Sequence, residues 1–391
     1  MKKIAKKSRG FTLVEMIVGL ALSTTILLAG MLLYQKSVQL SELVSQRSVV
    51  QENTRTAADS ISQDLNQAGD GLPYAGISLP TGAKFGCKTA TSCGNFSFAL
   101  NGTTPTLYGV MPGYALGDAI STANGGNGAA TDVISIAYTD REPDLDESGL
   151  ICATSATNPG FDGYSLTKVT TSPNTITFNT NTCPGVGDPG YGFQVGDFVM
   201  ISNLHGTILQ YVTAVNSSTN TLTFGTDPFN LNATTGTNSL ANLFTGSTLP
   251  PNASAPATTA AKVNLITYFV SVPNLGSSSQ LPPRLYRQVN GLAPQPIAEQ
   301  IADLHFTYDI IDSSIGNSES NPPVLPLLAQ QTSPTTVSNI RKINIQLTGV
   351  SGTTSPGVQT QQVPLTTAVS PRGLSFFDQY PNSSSGGTTG F

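Results

Sequence analysis

The chain has 391 residues, and only 10% of them are charged, far below the roughly 25% of an ordinary soluble domain. Gly (38) and Pro (26) are abundant, Trp is absent, and only His205 and His305 could serve a histidine-based hydrolase. The net charge is −5, although Lys2, Lys3, Lys6, Lys7 and Arg9 crowd an acid-free start. The remainder is therefore acidic, which excludes a broad footprint for nucleic acid.

From Phe11 to Tyr34 the sequence is almost continuously apolar, longer than the roughly 20 residues that span a bilayer. The basic leader before it predicts a cytoplasmic N-terminus by the positive-inside rule, with the rest of the chain outside. A secretory signal peptide would have a shorter apolar core ending in a small-residue cleavage site. Here the core runs straight on into a helical pattern.

Glu15 lies inside this apolar run, where ionisable groups are costly and usually functional. Two readings stand side by side. Thr12-Leu13-Val14-Glu15 has capping-box spacing, and a carboxylate suits a helix N-terminus. Alternatively Glu15 meets a positive partner, and cleavage before Phe11 would create one, an α-amino group one helical turn away.

Beyond the apolar run, Leu40, Leu43, Val44, Val50, Ala57, Ala58, Ile61, Leu65 and Ala68 recur at spacings near three and four, which predicts a continuing helix. Glu42, Arg47, Glu52, Arg55, Asp59 and Asp64 are read as its polar face. Gly69-Asp70-Gly71 and Pro73 mark its end. Gly19 and Gly30 read as helix-packing positions.

Two stretches carry a family resemblance. Arg9-Gly10-Phe11-Thr12-Leu13-Val14-Glu15-Met16 resembles the class III signal of type IV prepilins. The segment QENTRTAADSISQDLNQAGDG, through Gln51, Glu52, Asn53, Arg55, Asp64, Leu65, Ala68 and Gly69, resembles PilW-type minor pilins and, more loosely, the J-type pseudopilin of type II secretion. Asn66 stands where that pattern usually has a basic residue. The resemblance implies cleavage between Gly10 and Phe11 by a prepilin peptidase, N-methylation of Phe11, and pairing of Glu15 with the amine of a neighbouring subunit. It implies as partners other minor and major pilins, the inner-membrane pilus assembly machinery and the membrane itself, with no cofactor and no enzymatic activity. It places the chain in the inner membrane before assembly and then in the pilus or at the cell surface.

After Leu72 short apolar or β-branched runs alternate with Gly/Pro/Asn/Ser clusters. They predict strands over 96–100, 132–139, 175–179, 197–202, 208–215, 221–224, 263–272, 284–289, 304–311, 342–349 and 359–365. Val215 to Thr221 reads as a hairpin loop, and Thr226 to Ala261 as a long surface loop. Leu265–Tyr268, Leu285–Arg287 with Asn290-Gly291, Ile301–Tyr308 and Ile340–Leu347 resemble the C-terminal sheet of W- and J-type pilins. The expected fold is α+β and pilin-like, a long N-terminal transmembrane and stem helix packed on a β-rich head of antiparallel sheets. Its expected divisions are a leader (1–10), a membrane span (11–34), a stem (35–69) and a head (70–391) with an insertion over about 140–260.

Cys87, Cys93, Cys152 and Cys183 form an even set. In an exported chain that favours disulfides, with three possible connectivities. Sequence neighbours suggest Cys87–Cys93 and Cys152–Cys183, and zinc is the rival. Asp144, Asp146 and Glu147 lie in the one dense acidic run. It is either a solvated turn or a calcium loop, whose usual spacing it does not match. No nucleophile elbow or phosphate loop is present. A structural minor pilin that initiates or caps a filament is the leading functional reading; a tip adhesin carried on a pilin stem and a type II secretion pseudopilin are the alternatives, while a membrane-anchored enzyme would lack catalytic residues.

Overall fold

The structure is a computed structural model that describes residues 12–89, 92–98, 105–122, 126–139, 164–171, 174–178, 186–187, 192–203, 205–236, 238–243, 259–273, 281–310, 337, 340–351 and 361–375. Helix α1 runs unbroken over Leu13–Gln67, 55 residues, or about 80 Å at the α-helical rise. Its inner half is apolar and bare. It is long and apolar enough to cross a membrane, and no part of its most apolar stretch is covered by the rest of the molecule. Ser23, Thr24 and Thr25, the hydroxyls of that stretch, donate to the carbonyls of Leu20, Ala21 and Leu22 at 2.8–2.9 Å. Their polarity is thus satisfied within the helix, as a hydrocarbon environment demands.

The outer half buries Val50, Thr54, Ala57, Ala58, Ile61, Asp64 and Leu65. The apolar stripe expected from Leu40 onward is therefore fully covered only from Val50. Leu40 and Val44 remain exposed, while Leu43 between them is partly covered. Asp64, expected on the polar face, is on the buried one.

The strands follow in chain order: β1 (Ile77–Ser78), β2 (Lys84–Thr89), β3 (Ser92–Ser97), β4 (Thr106–Leu107), β5 (Val110–Gly113) and β6 (Val133–Thr139). Next come β7 (Tyr164–Thr171), β8 (Asn174–Phe178), β9 (Phe198–Asn203), β10 (Gly206–Tyr211), β11 (Ala214–Asn216) and β12 (Thr221–Thr223). After the short helix α2 (Leu240–Leu243) come β13 (Thr259–Ser271), β14 (Arg284–Val289), β15 (Gln295–Glu299), β16 (Ile301–Ile310), β17 (Ile340–Val350) and β18 (Gln362–Val369). A four-residue helix, α3 (Arg372–Ser375), follows.

All strand pairs among the described residues are antiparallel. With the long helix, they make an α+β pilin-like fold. The long strand β13 is the hub of the largest sheet, pairing with β6, β7, β9 and β14 along its length. A separate sheet, β16-β17-β18, lies under the stem. There α1 comes so close that a Cβ on Gly349 would stand 2.3 Å from Thr54 Oγ1 and 2.6 Å from Val50 Cγ1. Gly349→Ala is expected to cost about 1–3 kcal/mol through overpacking. Chemical denaturation of the detergent-solubilised chain measures it, and an unchanged midpoint would mean that the stem is not seated there.

Two apolar clusters fill the head. The larger joins the stem residues Ala57, Ile61 and Leu65 to β6, β13, β14, β16 and β17. The smaller gathers Val169, Ile176, Phe178, Ile201, Ile208, Leu222, Leu240 and Leu243. Several sequence expectations shift. The run expected over 208–215 is divided between β10 and β11, with Val212 and Thr213 between them. The described part of the expected surface loop, 226–236 and 238–243, buries Phe229, Leu231, Leu240 and Leu243 and packs on the sheet. The Val215–Thr221 turn is a hairpin, with Asn216 opposite Thr221.

Candidate functional site

The first described residues form the capped start of the long helix. Thr12 is the N-cap of α1, in an extended conformation. Its Oγ1 accepts the Glu15 N–H at 3.3 Å, and its own N–H and Oγ1–H both donate to Glu15 Oε2 at 3.1 Å. This is a complete capping box. It occupies one carboxylate oxygen, and among the described residues Glu15 Oε1 has no partner. The capping reading of Glu15 thus has its geometry inside one chain, and among the described residues Oε1 is left open to a cation. Gly10 and Phe11 lie outside the described residues. Around Gly19 and Gly30 nothing approaches within 4 Å of a built Cβ, so both faces are open.

The second element is the junction of stem and head. Asp64 sits in the last turn of α1, which holds no basic residue. A carboxylate at a helix C-terminus opposes the helix dipole, and Asp64 is also buried. The head supplies what the helix lacks. Arg287 on β14 donates from Nε to Asp64 Oδ2 at 2.7 Å and from Nη2 to Oδ1 at 3.2 Å. Tyr268 on β13, fully buried, donates its O–H to the same Oδ2 at 2.5 Å. Ser60, one turn back, lies 3.1 Å from the Tyr268 oxygen. Burial first, and then the Asp64 charge, push the Tyr268 phenol well above its ordinary range, so it stays a donor. The hydrogen bond to Asp64 raises the Arg287 guanidinium. Such two-pronged, charge-assisted pairing fixes orientation as well as energy.

Just beyond, Gly69 turns left-handed (φ 80°) and donates its N–H to Ala137 O at 2.9 Å. A Cβ on Gly109 would stand 2.5 Å from Gly69 Cα. The stem thus ends in direct backbone contact with the head.

The head's ionised centre is His305 on β16. Its Nδ1 is 3.4 Å from Asp132 Oδ2 and its Nε2 is 3.0 Å from Asp303 Oδ1. Asp132 and then Asp303 raise its pKa to about 10, against a smaller desolvation effect. Asp132 leads despite the longer distance because it is the more buried carboxylate. It also accepts the backbone N–H of Phe306 and of Ala115, both at 2.9 Å. A histidine held as a cation at neutral pH is a poor general base and a good strut.

The stabilisation that His305 contributes is fully present below its unfolded pKa of about 6.5 and is lost as pH rises through about 10. The stability difference between the native chain and His305→Gln, about 1–3 kcal/mol for charge-assisted hydrogen bonds, is therefore expected at pH 6 and to fade by pH 10.5. Denaturant midpoints at the two pH values check it. His205, between the strands expected over 197–202 and 208–215, is exposed in the turn between β9 and β10, where its N–H donates to Asn203 Oδ1 at 2.8 Å.

Among the cysteines, the register of β2 and β3 sets Cys87 directly opposite Cys93. Cys152 and Cys183 lie outside the described residues, as do Asp144, Asp146 and Glu147. Among the described residues no His/Cys/Asp/Glu group has metal-binding geometry. The residues that join stem to head are Asp64, Tyr268 and Arg287, and local patterning misses their association. The available signals were an acid near a helix C-terminus with no base in the same turn, and the two strand segments already singled out by resemblance.

Residues 5–31 match the prokaryotic N-terminal methylation motif. No curated protein and no solved structure is detectably similar to the chain. The matched stretch spans the end of the basic leader, Glu15 and most of the bare apolar helix. Together with the α+β architecture, the match supports a type IV pilin- or pseudopilin-type protein that is processed at its N-terminus.

Proposed function

We propose that the chain is a minor pilin of a type IV pilus, of the PilW type, which helps to initiate or cap the filament and has no catalytic activity of its own. The observation that carries this reading is the combination, on one helix, of a bare apolar half headed by a capped Glu15 and an outer half tied to the head by Asp64. Such a helix can leave the bilayer for a bundle of similar helices while the head travels as a fixed load.

In this reading residues 1–10 are the cleaved leader, 11–34 the membrane span with its N-terminus cytoplasmic, 35–69 the stem and 70–391 the extracytoplasmic head. The prepilin peptidase cuts between Gly10 and Phe11, and Phe11 is methylated. Glu15 Oε1 meets the α-amine of a neighbouring pilin in the inner-membrane assembly machinery. Cys87–Cys93 is one disulfide, supported by their facing positions on β2 and β3, and Cys152–Cys183 is the other. The smaller apolar cluster supports an insertion over about 140–260. Such an added β unit favours, as a second reading, a binding module carried at the pilus tip.

Mass spectrometry of sheared pili is expected to find a mature N-terminus at Phe11 carrying one methyl group. A chain that begins near residue 35, or that retains Met1 in assembled pili, would overturn the proposal.

A further inference from the structure

We infer that residues 227–236 and 238–239 form an edge seal: a strap whose asparagine side chains stand in for a missing strand along β10 and prevent it from pairing with the β10 edge of a second copy of this chain. Among the described residues the strand β10 ends the largest sheet, with β9 as its one strand neighbour. Leu209 and Tyr211, two residues apart and so facing the same way, turn their backbone groups to the free side. Each meets one side-chain amide.

Asn238 accepts the Leu209 N–H on Oδ1 at 3.0 Å and donates from Nδ2 to Leu209 O at 2.8 Å. Asn232 does the same for Tyr211, accepting at 2.7 Å and donating at 2.8 Å. Each amide therefore reproduces the paired N–H and C=O of an antiparallel neighbour, without offering a strand edge of its own.

The strap is built to stay in place. Asp227 takes the backbone N–H groups of Phe229, Leu231 and Asn232 at 2.8–3.1 Å. Phe229 is buried against the rings of Phe198 and Tyr211. Asn238 is fully buried, donates also to Leu231 O at 3.0 Å, and receives Gln210 Nε2 on its own carbonyl at 2.7 Å.

The occupant being kept out follows from the geometry. Only extended backbone offers alternating N–H and C=O groups at this spacing. A second copy is the occupant the geometry matches, because a membrane-spanning apolar helix would hold its head at the same height above the bilayer and so bring one β10 edge level with another. An open terminal strand so placed is a template for sheet-to-sheet pairing. Sealed, it leaves the stem as the route by which copies meet. The inference rests on the anchor and the strap, and it holds whichever filament receives the chain.

The full chain in detergent micelles tests it by sedimentation velocity and amide exchange. In the native chain the Leu209 and Tyr211 amides are expected to exchange at least about a hundredfold more slowly than open amides. In Asn232→Ala/Asn238→Ala both should lose that protection, and the chain should pass from monomer to dimer or larger species as its concentration rises. Adding Thr207→Pro, which removes a donor from the same free edge, should return the double variant to monomer. Unprotected Leu209 and Tyr211 amides in the native chain would overturn the seal. So would a double variant that remains monomeric at every concentration. Association that persists with Thr207→Pro would equally overturn it, since general unfolding rather than edge pairing would then be its cause.

Discussion

Asp64→Ala is expected to lower the stability of the chain by about 3 kcal/mol, the usual effect of stranding one partner of a buried ion pair. The carboxylate receives three hydrogen bonds, one from Tyr268 and two from Arg287. Removing it leaves a half-buried guanidinium without its carboxylate and a buried phenol with only the Ser60 carbonyl, 3.1 Å away, to accept its proton. A series separates the contributions. Asp64→Asn keeps an acceptor and loses the charge, so it should fall between. Tyr268→Phe removes one hydrogen bond and leaves the ion pair, at a cost of about 1 kcal/mol. Denaturant titration of the detergent-solubilised chain measures all three. An Asp64→Ala midpoint within error of the native one would show that this buried ion pair does not hold the head to the stem. Because the same residues orient the head on the helix, Asp64→Ala should also reduce the amount of chain recovered in sheared pili even where the protein is still folded.

Glu15→Gln separates the observed capping role of that side chain from its proposed role in assembly. Glutamine can replace glutamate in a capping box, so the Thr12 hydrogen bonds survive and helix α1 still begins at Leu13. What is lost is the charge on the open side of the carboxylate. In hydrocarbon an ion pair is several-fold stronger than in water, and an ionised group there is tolerated only when paired. The variant is therefore expected to insert and to be cut before Phe11, yet to appear in sheared pili at about one-tenth of the native level or less, a difference of about 1.4 kcal/mol or more in recruitment. The ratio of pilus to membrane pool is the measurement. Native incorporation would leave Glu15 as a helix cap and nothing else. Thr12→Val is the complementary test, since it removes the cap's hydroxyl and keeps the charge.

The long helix was legible in the sequence because its signals are local. An apolar run, a capping spacing and a Gly-Asp-Gly stop act within a few residues, and the observed helix ends within two residues of the boundaries they imply. Strands such as β6, β9 and β14 were legible for the same reason, since apolar and β-branched runs stand between turn residues. The short strands β1, β4 and β5 and the strand β15 were not. They hold two to five residues, too few to display a period, and exist because a neighbouring strand offers them hydrogen bonds.

Which partner each segment takes was decided by tertiary structure alone. The Thr/Asn-rich stretch after Thr226 has the composition of a solvated loop. Asn232 and Asn238 become structural only because the terminal strand β10 lies beside them with unpaired backbone groups. Asp64 likewise reads as one more polar residue on a helix. Its burial follows from Tyr268 and Arg287, more than two hundred positions later in the chain. Local spacing specifies a helix face, but the free energy of a buried charge depends on which counter-charge the fold brings to it.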